Sequence, residues 1–155
     1  MCSKHTMRCR SATALAAVAL LAPLAPVAAA ATLIGTEGPD ELRGAAEADQ
    51  IYAEGGDDRV TGAGGSDYLE AGPGNDLVGG PGSDLLIGGT GNDQLSGGSG
   101  ADVIYAGAGD DLVLGGQGAD TLFGQAGNDR IFARARRDRI YASLGIDFVD
   151  GGSGR

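Results

Sequence analysis

The 155-residue sequence has no tryptophan and only four tyrosines and three phenylalanines, too few bulky aromatics for the core of an ordinary globular domain of that length. Its two cysteines, Cys2 and Cys9, stand at the extreme N-terminus, so no disulfide framework can staple the rest. Lysine and histidine are confined to Lys4 and His5. Beyond residue 31 the chain lacks imidazole, thiol and amine together, which excludes the usual serine, cysteine and zinc-hydrolase sites. Carboxylate pairs acting on glycosidic bonds remain conceivable. The aspartates, however, are committed to regularly spaced turns, and no enzyme activity is expected.

What is present is equally uneven. Three basic residues (Lys4, Arg8, Arg10), an apolar stretch from Ala12 to Ala22 and the small residues Ala28, Ala29 and Ala30 have the order of a cleavable signal peptide over residues 1–31. The other reading, an uncleaved membrane anchor over Ala12 to Ala31, is opposed by Pro23, Pro26 and the weak hydrophobicity of alanine. Export predicts a secreted or cell-surface product without stable membrane insertion after cleavage. Residues 32–155 then carry 8 arginines against 21 acids, a formal charge of -13. Such a polyanion repels nucleic acid and anionic membranes and attracts cations.

An internal repeat organises this second part. Aspartate recurs at 40, 49, 58, 67, 76, 84, 93, 102, 111, 120, 129, 138 and 147, always nine residues apart except for one interval of eight, from Asp76 to Asp84. Two residues after each stands Leu, Ile or Val, from Leu42 to Val149. Glycine stands four residues before that aliphatic in every repeat but those with Glu47 and Arg136, and each repeat opens on glycine or alanine. Nine fits no helical register, and each glycine would cost a helix about 1 kcal/mol. Glycine reaches positive φ freely, so the pattern predicts a six-residue turn followed by a three-residue strand with one side chain inward. One repeat cannot bury its own aliphatic, and the copies must stack into a solenoid.

These residues, best seen in Gly88 to Ser96 and Gly97 to Tyr105, resemble the RTX, or hemolysin-type, calcium-binding nonapeptide repeat from Gly35 to Gly154. The resemblance implies an all-β fold, a right-handed parallel β-roll of about 13 repeats with two per coil, so that residues eighteen apart lie in neighbouring layers. Asp76 should then lie near Asp93, Asp84 near Asp102, Asp93 near Asp111, Asp102 near Asp120 and Asp111 near Asp129, in two columns at about 4.8 Å spacing. Stacked carboxylates repel unless a cation bridges them. The oxygen-only donor set favours Ca2+ over zinc or copper, and Mg2+ demands a smaller octahedral cage.

Family sites are implied to take aspartate side chains from two successive turns of one side, with backbone carbonyls of the opening glycines. The best set comprises Asp76, Asp84, Asp93, Asp102, Asp111, Asp120 and Asp129 with Gly79, Gly80, Gly82, Gly88, Gly89, Gly91, Gly97, Gly98, Gly100, Gly107, Gly109, Gly115, Gly116, Gly118, Gly124 and Gly127. That makes about five or more ions. Asp40, Asp49, Asp58 and Asp67 are weaker ligands, because Thr36, Ala45, Glu54 and Ala63 replace the second glycine of their turns. A metal-free solenoid with aspartates as turn caps is the competing reading. Thin apolar columns and self-repulsion favour the metal-dependent one, with a disordered apo chain that folds on binding calcium.

Three departures stand out. The eight-residue interval should remove the last strand position after Val78 and kink the roll. Arg134, Arg136 and Arg137 replace turn residues and should exclude calcium, serving either as an end-cap or as a nucleic-acid patch. Tyr105, Phe123 and Tyr141, eighteen apart, should stack on one outer face, by cross-strand packing or as a docking strip for a partner. The expected function is that of an exported calcium-binding module for extracellular or surface interaction. The alternatives are a calcium-dependent, adhesin-like carbohydrate-binding module with a polysaccharide partner, or an accessory fragment of a larger RTX protein. Ice binding, which needs side-by-side Thr and Asn, has only Thr90 with Asn92 to support it. The resemblance implies a further non-repeat C-terminal signal in members exported by the family's dedicated one-step route; none is read here, and export by the N-terminal segment is the expectation.

Overall fold

The computed structural model describes residues 29–154; residues 1–28, which hold most of the segment read as a signal, lie outside the described residues. One parallel sheet contains β1 (Thr32–Thr36), β3 (Gln50–Glu54), β5 (Tyr68–Pro73), β7 (Leu85–Thr90), β9 (Val103–Ala108), β11 (Thr121–Ala126) and β13 (Arg139–Leu144), in that order. The second contains β2 (Glu41–Arg43), β4 (Arg59–Thr61), β6 (Leu77–Gly79), β8 (Gln94–Ser96), β10 (Leu112–Gln117), β12 (Arg130–Ala135) and β14 (Phe148–Asp150). The chain alternates between the sheets, so two repeats make one coil and seven coils make the rod. Pairing is offset by eighteen residues, as in Leu122 against Ile140 and Val113 against Ile131. The fold is the all-β parallel β-roll that the nonapeptide period implies.

The strands of the inner coils bury their aliphatic between the sheets, and Ile51, Leu69, Leu86, Ile104, Leu122 and Ile131 are fully inaccessible, whereas Leu33 and Ile140 are partly buried and Val149 is exposed. Each such side chain stabilises the roll by about 1.5–3 kcal/mol. The longer strands exceed the expected three residues because a second inward position follows two residues later. In β7 both Leu86 and Gly88 are buried, and at the equivalent place Ala53, Ala71, Ala106 and Ala133 are fully buried. The gap between the sheets at that position admits only glycine or alanine, which is why every repeat opens with one of them. Among the described residues, no aromatic side chain takes part in the core.

The array begins one strand earlier than the thirteen aspartates indicate: in β1, Leu33 packs against the core although its repeat has Ala31 in place of aspartate. The short interval also leaves the strand intact. Gly79 pairs with Thr61 on one side and Ser96 on the other. The missing residue is the first of the turn, and both sheets run through it with their offset reduced to seventeen, as in Leu69 against Leu86 and Val78 against Leu95.

Candidate metal centre

The turns that precede the strands lie in two stacks, one leading into each sheet, and each stack carries a column of aspartates. From Asp49 onward every carboxylate in a column is held by the coil before it. The N–H of Asp58 donates to Oδ1 of Asp76, that of Asp76 to Asp93, that of Asp93 to Asp111 and that of Asp111 to Asp129, at 2.8–3.0 Å. In the other column the N–H of Asp67 donates to Asp84, that of Asp84 to Asp102 and that of Asp102 to Asp120, at 2.8–3.0 Å. All five neighbour pairs expected from the period are brought together. These aspartates are buried, each at most 3% exposed.

The second oxygen behaves differently. Among the described residues, Oδ2 of Asp58, Asp67, Asp76, Asp84, Asp93, Asp102, Asp111, Asp120, Asp129 and Asp138 is buried with no hydrogen-bond partner. Only at the start of the array is it satisfied. Oδ2 of Asp40 accepts from the Thr36 N–H at 2.6 Å, and Oδ2 of Asp49 from the Ala45 N–H at 2.6 Å. The difference lies in the second residue of each turn. From Glu54 onward it takes a left-handed φ, +73° at Glu54 and Ala63 and +121° at Gly89, and its N–H no longer meets the carboxylate. The shortened turn at Gly80 is the exception. Asp58 and Asp67, ranked weaker because their turns lack the second glycine, thus share the geometry of the best set; Glu54 and Ala63 adopt the glycine backbone.

The fourth turn residue stacks its carbonyls closely. A Cβ on Gly109 would collide with the Gly91 carbonyl oxygen, and one on Gly127 with that of Gly109. Both glycines also have left-handed φ, +141° and +142°, so glycine is required there twice over. Gln125 and Arg134 occupy the second position with φ +76°, and Arg136 the fourth with +84°. Arg134 therefore takes a backbone that glycine takes at the same position of another turn, as at Gly98 with φ +78°, whereas Arg136 stands at the fourth position with a smaller φ than Gly109 and Gly127.

The electrostatics reflect this arrangement. Burial pushes the Asp102 and Asp111 carboxyls up to about 7, and those of Asp58, Asp76 and Asp84 up to about 6; backbone N–H donors oppose the rise and neighbouring aspartates add to it. A buried carboxylate oxygen without a donor costs several kcal/mol unless a proton or a cation meets it. The surrounding atoms are carboxylate and carbonyl oxygens, the hard donors that calcium takes at six to eight positions. Among the described residues no three carboxylates or imidazoles converge on one point. A cation here must therefore draw on backbone carbonyls as well as aspartate, and the donor set fits calcium.

One functional feature escaped the sequence reading. On the turns leading into the even-numbered strands, the residue before the aspartate forms a second, exposed ladder. The N–H of Asn92 donates to Oδ1 of Asn75, that of Asp110 to Asn92 and that of Asn128 to Asp110, at 2.8–2.9 Å. Its signal was legible: Asp57, Asn75, Asn92, Asp110 and Asn128 recur on alternate repeats. Tyr105, Phe123 and Tyr141 stack as expected, with centroids 4.5 and 4.8 Å apart and planes within 8°.

A family model described as the RTX calcium-binding nonapeptide repeat (4 copies) matches residues 34–69, 44–78, 78–113, 105–135 and 132–155. Comparison with curated proteins returns no match. The matched segments together run from β1 through the last described turn, over the same coils that carry both aspartate columns. This chain belongs to the RTX calcium-binding nonapeptide repeat family and is a calcium-binding repeat protein.

Proposed function

We propose that the chain is exported and that calcium drives its folding outside the cell into an extracellular or surface interaction module with no catalytic role of its own. The observation that carries this reading is the column of buried, unpartnered Oδ2 atoms. Calcium would supply the positive charge that these oxygens lack. Asp76, Asp84, Asp93, Asp102, Asp111, Asp120 and Asp129 would hold it together with carbonyls of their glycine turns, in about five or more sites. Asp58 and Asp67 join them on the same geometry. Asp40 and Asp49 are already satisfied by backbone donors and contribute least. Extracellular calcium modules work at about 10⁻⁴ to 10⁻³ M, so the chain would stay unfolded in a low-calcium compartment and fold on export.

The test is far-ultraviolet circular dichroism of the chain titrated with calcium and then chelator, with magnesium as control. A reversible, calcium-selective coil-to-sheet transition is expected. A full sheet spectrum in chelator, or none in calcium, would sink the proposal.

A second reading, calcium-dependent binding of a polysaccharide, draws on a groove of about 780 Å³ beside the exposed ladder, lined by Asp110, Asn128, Arg130 and Phe132 among others. It lies on the sheet opposite the Tyr105–Phe123–Tyr141 strip. Glycan binding lost on Phe132→Ala, with calcium-driven folding unchanged, would support it over folding alone.

A further inference from the structure

The repeat dictates what points inward and leaves the outward positions free, yet one outward row is largely apolar. On the outer face of their sheet, β5, β7, β9, β11 and β13 set Glu70, Ile87, Tyr105, Phe123 and Tyr141 side by side. The row beside it contributes Leu85 and Val103. Leu85, Ile87, Val103, Tyr105 and Phe123 are all partly exposed. The matching row of the other sheet runs Thr61, Gly79, Ser96, Leu114 and Phe132, so coil geometry does not require such a strip. Ring stacking explains the contact of Phe123 with its two tyrosines but not the three aliphatics next to them. A contiguous apolar patch on an outer face marks an interaction surface.

Charge selects the occupant. Among the outward residues of these five strands Glu70 is the one acid and Arg139 the one base, and they stand at opposite ends of the strip. The Tyr68 hydroxyl donates to Oε2 of Glu70 at 2.6 Å and holds that carboxylate on the face. We infer that the strip binds a second copy of this chain, face to face, about a two-fold axis that runs along the strands through Tyr105.

The sheet order fixes the pairing. Because β9 lies midway between β5 and β13, Tyr105 meets Tyr105 of the second copy, Ile87 meets Phe123, and Glu70 meets the neighbouring Arg139 and Tyr141. Each unlike contact is made twice. The other two-fold arrangement that apposes the strips has its axis along the roll and sets Glu70 against Glu70, which like-charge repulsion disfavours. Packed sheets keep their strand directions within about 30°, so the chosen arrangement is an ordinary one. An isologous contact closes at two copies. Five strands about 4.8 Å apart and three outward rows about 6.6 Å apart offer roughly 400 Å² per copy, about half the area of a standard interface. The dimer is therefore weak and concentration-dependent. It forms only in calcium, which builds the strip and offsets the formal charge of -13 on residues 32–155 of each copy.

Sedimentation equilibrium of the full chain in calcium, from micromolar to millimolar concentration, tests this, with circular dichroism on the same samples reading roll formation. A monomer–dimer equilibrium without larger species is expected. Tyr105→Asp sets two like charges face to face on the axis and should weaken the dimer by about tenfold or more. Glu70→Arg or Arg139→Glu alone should weaken it by about fivefold, and the two together in one chain should restore it. Within one copy β5 and β13 are about 19 Å apart, beyond the screening length of about 8 Å at physiological salt. Restoration thus reports a contact between copies. If Tyr105→Asp loses the roll, the charge reversals decide alone. Folded monomer at every concentration, growth past the dimer, single reversals without effect, or a double reversal that fails to restore would overturn the inference.

Discussion

The backbone N–H of Asp93 donates to Oδ1 of Asp111 at 2.8 Å, while Oδ2 of Asp111 is buried without a partner. One oxygen of the carboxylate ties two coils together and the other is available to a cation. Asp111→Asn separates the two roles: it keeps the acceptor and removes the charge. The variant should retain the roll in calcium and form it more readily in chelator. The calcium sites next to it should weaken by about tenfold or more, because ligand charge sets affinity in such sites. Isothermal titration calorimetry checks this, and unchanged affinity and stoichiometry would argue against Oδ2 as a ligand.

The raised carboxyls predict an unusual response to acid. Asp102 and Asp111 titrate at about 7 in the roll, against an ordinary value of 3.8. A group whose pKa is higher folded than unfolded binds its proton more tightly in the folded state. Its contribution is therefore fully present below the unfolded value and is lost as pH rises through the folded one. In chelator the chain should gain sheet on acidification from about pH 8 to about pH 5. In calcium the sign reverses, since protons compete with the ion for the same oxygens. Circular dichroism across that range reads both. A metal-free chain indifferent to pH would mean that the aspartates are not buried together without calcium.

The period carried most of the fold. Aspartate and an aliphatic at fixed spacing give strand, turn, stacking and register at once, because each constrains the backbone at the same place in every coil. What the period could not give depends on how the backbone uses it. Ala31 hides the first strand from any pattern anchored on aspartate, whereas the strand needs only Leu33 inward. The missing residue near Gly79 was misplaced because any glycine there satisfies the turn pattern; hydrogen bonding decides that the strand keeps its third position. At the site, the columns were legible but the division of labour between Oδ1 and Oδ2 was not. It depends on the φ of the second turn residue, and Glu54 and Ala63 adopt left-handed values that their identities do not advertise.

Arg134 shows the same limit and yields a stability prediction. Its side chain breaks the glycine pattern, yet its φ of +76° is that of the turn. A non-glycine residue held there costs about 1–2 kcal/mol. Arg134→Gly should therefore stabilise the calcium-loaded roll by about 1 kcal/mol, less the entropy that glycine adds to the unfolded chain. Urea denaturation in calcium measures it. A loss of stability would mean that the Arg134 side chain makes contacts worth more than the backbone strain.

Phe123 stands between Tyr105 and Tyr141, with centroids 4.5 and 4.8 Å away and planes tilted by 4° and 8°. Stacked pairs are worth about 0.5–1.5 kcal/mol each beyond their area, so Phe123→Ala should cost about 1–3 kcal/mol for its two partners, in addition to the lost burial. Tyr141 has one stacked neighbour and is half exposed, so Tyr141→Ala should cost well under half as much. Urea midpoints in calcium compare the two, and the near-ultraviolet signal should fall with Phe123→Ala because Tyr105 and Tyr141 lose the ring between them. A column that exists for packing obeys this ordering. Equal and negligible costs at both positions would show instead that the rings are displayed rather than packed, and would turn attention to a partner on that face.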